Sequence, residues 1–116
     1  MGIEVIGNQA FGHCTKLNSV KIPSTLKRID GYAFGDCPSL RTFDFNEKIE
    51  FIGRESFNGA GFTELDLQRL VPNIVLEKGV FAGCKDLKTV KIYKGIGEIP
   101  ESFGAMFNGT ETEMLY

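Results

Sequence analysis

An α/β solenoid is the fold class this sequence predicts: a short stack of four to five repeats, joined through a parallel strand ladder and short helical turns. Three observations predict it. A block of apolar and small residues returns every 23–24 residues. Each block changes hydrophobic period half-way along. Glycine, at 14 of 116 residues in a chain without low complexity, supplies many tight turns.

The columns of the repeat are read directly. Ile6, Ile29 and Ile52 stand 23 residues apart, and Phe11, Phe34, Phe57 and Phe81 are spaced by 23, 23 and 24. Cys14, Cys37, Ala60 and Cys84 follow, then Leu17, Leu40, Phe62 and Leu87. Val20, Phe43, Leu65 and Val90 form the next column, and Ile22, Phe45, Leu67 and Ile92 the last. A single domain over 1–116 therefore divides into units of about 6–28, 29–51, 52–75 and 76–98, with a distorted fifth unit or cap at 99–116.

Within a unit, the second half (Leu-x-x-Val-x-Ile) ends in strict alternation of β-branched or aromatic residues, as a strand with one buried face requires. Pro23 ends the first such strand where no ladder donor is wanted. The first half (Ile-Gly-x-x-Ala-Phe-x-x-Cys) has apolar residues at three- and four-residue steps and reads as a turn or a single helical turn. Reversals fall at Ser24, Thr25 and around Gly7, Gly31 and Gly53. One such unit cannot bury its apolar side alone, so the units must stack.

Residues 6–23 carry the pattern I-G-x-x-A-F-x-x-C-x-x-L-x-x-V-x-I-P, which resembles the BspA-type leucine-rich repeat; residues 29–45, 52–67 and 76–92 resemble it with substitutions. The resemblance implies a leucine-rich-repeat solenoid, curved, with strands on its concave side. It also implies protein binding and adhesion, often at microbial or protist cell surfaces, and it brings no catalytic residues. The chain departs from the pattern at Ala60, at the one-residue shortening before Phe62, and in the fifth unit.

Two stretches break the rhythm. Strand end to next Ile column takes seven residues elsewhere but nine between Leu67 and Leu76, so QRLVPNIV is expected to form a longer loop that folds Leu70, Val71 and Ile74 inward, the alternative being that it leaves them exposed as a contact patch. After Ile99, Pro100 suits a helix start, and Phe103, Met106 and Phe107 share one face, which predicts a short helix over 101–107. No strong polar cap stands at either end of the stack, so the chain reads as a fragment or as one whose ends a partner covers.

Composition excludes several function classes. Net charge is −2, with both signs interspersed, which argues against a nucleic-acid surface. No apolar run reaches the roughly 18 residues of a membrane helix, and the first residues lack the basic head and apolar core of a signal peptide. Compartment is left open. Cys14, Cys37 and Cys84 share one column. Neighbouring units lie about 4.8 Å apart, within reach of a Cys14–Cys37 bridge, while buried structural thiols are the reading preferred. No metal-ligand spacing is present, and Gly59-Ala60-Gly61 and Gly95-Ile96-Gly97 lack the remainder of a phosphate-binding motif, so no metal, cofactor or catalytic residue is assigned. His13, the one histidine, shares its column with Asp36, Gly59 and Gly83 and reads as a surface turn residue. Asn108-Gly109-Thr110 forms a glycosylation sequon that matters only in a secreted eukaryotic chain.

What remains is the outward side of the strands. If Val20 and Ile22 point inward, their neighbours point out. The candidate partner-binding residues are accordingly Lys21, Arg41, Thr42, Asp44, Glu64, Asp66, Lys91 and Tyr93, with Lys21–Asp44 and Asp66–Lys91 expected as surface ion pairs. The function expected is a non-catalytic protein–protein interaction module that binds a protein partner through this face or through uncovered ends. The alternatives are a structural subunit of a larger assembly and a cell-surface adhesion fragment.

Overall fold

The structure, a computed structural model, describes residues 2–71 and 73–91, and the backbone strand at 113–115. The expected helix over 101–107, the sequon at Asn108 and most of the fifth unit lie outside the described residues. Seven short strands are present there: β1 (Val5–Ile6), β2 (Arg28–Ile29), β3 (Phe51–Ile52), β4 (Glu64–Asp66), β5 (Val75–Leu76), β6 (Thr89–Lys91) and β7 (Glu113–Leu115).

They form two parallel ladders, not one. The first runs β1-β2-β3-β5 and aligns Ile6, Ile29, Ile52 and Leu76. The sequence reading had put this Ile column at the start of the turn. In fact each of its residues follows an outward-facing neighbour, and out-then-in is the strand period at its shortest. The second ladder runs β4-β6-β7 and aligns Leu65, Val90 and Met114. It holds the expected strands of the third and fourth units and extends them with the chain's apolar tail.

The strands expected at Val20–Ile22 and Phe43–Phe45 do not form, which corrects the assumption that every unit adds a rung. Around Phe43 the cause is local. The Phe45 N–H bonds back to the Phe43 carbonyl at 3.2 Å, and Asn46 Nδ2 donates to the Asp44 carbonyl at 3.1 Å. Groups that a ladder would use are thus turned inward on their own segment. Pro23 accordingly closes a turn rather than a strand: its carbonyl accepts the Leu26 N–H.

The helical turns also need correction. Among the described residues there is no helix, although Ala10, Ala33, Ser56 and Ala82 all donate to the carbonyl three residues back. The reason is two columns of left-handed backbone. Gln9, Tyr32, Glu55 and Gly79 have φ of 57°, 57°, 51° and 72°; His13, Asp36, Gly59 and Gly83 have 60°, 60°, 77° and 71°. A left-handed residue every fourth position ends each right-handed turn before a second can follow. The backbone donors then alternate. Gln9, Phe11 and His13 donate to Gly31, Ala33 and Gly35 of the next unit; Tyr32, Phe34 and Asp36 do the same to Arg54, Ser56 and Asn58, and Glu55, Phe57 and Gly59 to Lys78, Val80 and Ala82. The residues between them bond within their own turn. The turns of successive units are thus joined by backbone hydrogen bonds of their own, outside the strand ladders.

The core runs along the stack. Phe11, Phe34, Phe57 and Phe81 lie ring on ring, with centroids 5.2, 5.2 and 5.8 Å apart and interplanar angles of 6°, 12° and 23°. Phe43, Phe45 and Phe62 meet this pile edge-on. Leu26 and Ile49 add a buried column that the eye passes over in the sequence; it continues the 23-residue spacing back to Ile3. Burial is uneven. Ile29, Phe34 and Leu40 are fully buried, whereas Ile6, Cys14, Leu17, Val20 and Ile22 of the first unit are only partly so.

The loop after Leu67 folds largely as expected. Leu70 is buried, and Val71 and Ile74 are half-buried. Its exposed Arg69 does something the sequence did not announce, described below.

Candidate functional site

The second ladder positions the candidate face. Leu65 of β4 and Val90 of β6 are buried, so Glu64 and Asp66 turn outward, and Thr89 and Lys91 lie half-exposed beside them. Between this ladder and the preceding unit lies an open groove of about 210 Å³. Exposed Arg41, Thr42, Glu64 and Asp66 stand at its rim; beneath them lies half-buried Phe43, with Phe45, Phe62 and Leu65 buried under it. Four of the eight sequence-assigned residues therefore converge on one groove.

The groove exists because units two and three part company there. The third unit is one residue short, and Gly61 absorbs the shortening. Its N–H donates to the Leu40 carbonyl at 2.8 Å, and a Cβ at this position would lie 2.2 Å from the Pro38 carbonyl oxygen. Only a glycine lets the two backbones touch at that point. Beyond it no backbone hydrogen bond joins residues 41–45 to β4, since Phe45 bonds back to Phe43 and β4 pairs with β6.

Of the remaining assigned residues, Asp44 is exposed in unit two and Lys91 half-exposed on β6. Lys21 is exposed in unit one, apart from the groove. Tyr93 lies outside the described residues. The expected ion pairs are re-partnered. Asp44 pairs not with Lys21 but with Arg69, at 2.9 Å, and Arg69 also holds Glu47 at 2.9 Å. The two extra residues of the loop after Leu67 carry this guanidinium back to unit two. Arg69 and Glu47 thus belong to the face and were missed; the spacing of nine was the available signal, but no column gave Arg69 a counterpart. Lys91 pairs with Glu64 at 3.0 Å, although Asp66 is its opposite residue in the ladder. The hydrogen bond that Lys91 donates to the Glu64 carboxylate raises the Lys91 pKa. The Glu47 pKa is lowered, first by its own backbone N–H and next by Arg69.

A second groove, of about 440 Å³, lies over the turns and is lined by Gln9, His13, Tyr32, Asp36 and Asn58 among others. His13 is exposed, and its Nδ1 lies 2.8 Å from Asp36 Oδ2. Tyr32 donates to Glu55 at 2.5 Å, which raises the phenol's pKa. Both pairs join left-handed residues of adjacent units, so these side chains tie turn to turn.

The cysteines are free. Cys37 Sγ donates to the Phe11 carbonyl at 3.1 Å and Cys84 Sγ to the Phe57 carbonyl at 3.3 Å. The thiol column therefore supplies a weak donor to the phenylalanine carbonyl of the preceding unit. Burial pushes the Cys84 pKa to about 11. Among the described residues no group of His, Cys, Asp and Glu is arranged to hold a metal ion, and no helix is long and apolar enough to cross a membrane.

A family model described as BspA type leucine rich repeat region matches residues 2–113, in six copies. The chain belongs to that family. Six copies exceed the four to five units counted above. No curated protein and no solved structure matches the chain.

Proposed function

We propose that this chain is a non-catalytic interaction module that takes a protein partner on its strand face, centred on Arg41, Thr42, Glu64 and Asp66 and flanked by Lys21, Asp44, Lys91 and Tyr93. The observation that carries this reading is the groove itself: charged and polar side chains of two units stand around half-buried Phe43, a small apolar centre within a polar margin. Membership of a leucine-rich-repeat family supports it. The test replaces both Asp44 and Asp66 with Lys. Exposed pairs such as Asp44–Arg69 contribute at most about 1 kcal/mol, so the fold survives the change. Affinity capture with cross-linking from the source organism then compares the two proteins. Loss of the cross-linked partner from the variant is expected; an unchanged partner set rules the face out.

One observation favours a second reading, a structural subunit of a larger assembly. The outer side of the first unit exposes Ile3, Val5 and Phe11 at 64%, 48% and 40%. A partner seated there would complete the first unit's half-buried core. This reading expects self-association of the isolated chain, and a clean monomer by light scattering counts against it.

A further inference from the structure

We propose that the groove between units two and three receives an extended segment of a partner protein as an added strand, hydrogen-bonded to the free edge of β4. The inference rests on the strand-face reading above and specifies how that face binds.

The backbone carries the argument. β4 stands at the edge of its ladder, with β6 on one side only. The Thr63 carbonyl accepts the Thr89 N–H, and the Leu67 N–H donates to the Lys91 carbonyl, so the odd-numbered residues turn their backbone groups toward β6. In an extended strand the intervening residues turn theirs the opposite way. The N–H and C=O groups of Glu64 and Asp66 therefore face unit two. Among the described residues no backbone hydrogen bond joins them to residues 41–45. Those residues have already engaged one another, Phe45 with Phe43 and Asn46 with Asp44. An unpaired strand edge beside an open groove is the arrangement that strand addition uses, with backbone bonds for affinity and side-chain pockets for selectivity.

The same geometry defines the occupant. Alternate side chains of an added strand would descend toward half-buried Phe43, so the segment alternates apolar with polar residues. On the rim Glu64 is neutralised by Lys91, while Asp66 has no cation at ion-pair distance among the described residues. A lysine or arginine of the segment fits opposite Asp66.

Amide hydrogen exchange and ¹⁵N chemical shifts test this on the full chain. In the free protein the Glu64 and Asp66 amides are expected to exchange at least tenfold faster than those of Leu65 and Leu67; equal protection overturns the inference. The probe is an acetylated, amidated six-residue peptide of alternating lysine and valine. On titration the Glu64 and Asp66 amides should shift downfield and gain at least tenfold protection. Two analogues, N-methylated at alternate residues, complete the test. One should bind at least tenfold more weakly and the other nearly as well, because only one set of N–H groups can meet β4. Binding on this face that neither methylation affects overturns strand addition and leaves the strand-face reading intact. No shift at β4 overturns it too, and the capture experiment then judges the face by itself.

Discussion

Phe34 lies between two stacked rings, fully buried, with Phe43 edge-on to it. Truncation to alanine leaves a cavity that a laced stack cannot close, and Phe34→Ala should destabilise by about 3–5 kcal/mol in denaturant titration. A loss below 1 kcal/mol would contradict the buried column. Cys84 sits in the same interior. Its pKa of about 11 exceeds that of an unfolded thiol, so the neutral form is held by the fold. The sign follows: the stabilisation is present in full below pH 9 and is lost as pH rises from 9 toward 11. At pH 8 the thiol should resist alkylation in the native chain and react fully once denaturant is added, since the thiolate is the nucleophile.

At the scale of elements, the turns are governed by backbone sign. Gly79 has a φ of +72°, and a Cβ there would approach Glu55 Cγ to 3.0 Å. Gly79→Ala should cost about 1–2 kcal/mol, the penalty of a left-handed non-glycine residue. Gln9 occupies the equivalent position with φ of 57° and an exposed side chain, so Gln9→Gly should raise the midpoint of thermal unfolding rather than lower it. Of the two alternatives the sequence left for this half, a turn or a single helical turn, the described residues take the turn, for a definite reason. The three- and four-residue apolar steps of Ile29, Ala33, Phe34 and Cys37 are common to a helix and to successive tight turns, and only φ at Tyr32 and Asp36 separates them. The second strand column failed for another reason. Phe43–Phe45 alternates as well as Leu65–Leu67 does, yet Asn46 and the Phe45 N–H draw it into a local curl.

Over the whole molecule, stability is set by neighbours. Each interior unit has an aromatic ring above and below, while the first has one on a single side. Phe11 is 40% exposed, so Phe11→Ala should cost well under the Phe34→Ala value, by roughly half in a common denaturant series. Equal losses would mean that the first unit is covered in solution. This asymmetry connects the two functional readings: the strand face offers a groove, and the first unit offers an apolar end. The columns placed Arg41, Thr42, Glu64 and Asp66 on the outward side but did not show the ion-pair partners, since Arg69 reaches Asp44 and Glu47 from a loop without a counterpart in the repeat.

By itself the sequence determined the family, the 23-residue step, the inward columns of phenylalanine, leucine and cysteine, and the outward position of Arg41, Thr42, Glu64 and Asp66. These follow from periodicity, which a repeat writes many times over. Only the tertiary structure decided that there are two ladders, that the turns are left-handed at fixed positions, that Asp44 belongs to Arg69, and that the ladder opens beside β4. Each of these depends on how one unit's backbone meets the next, and a hydrogen bond between units leaves no periodic mark on either.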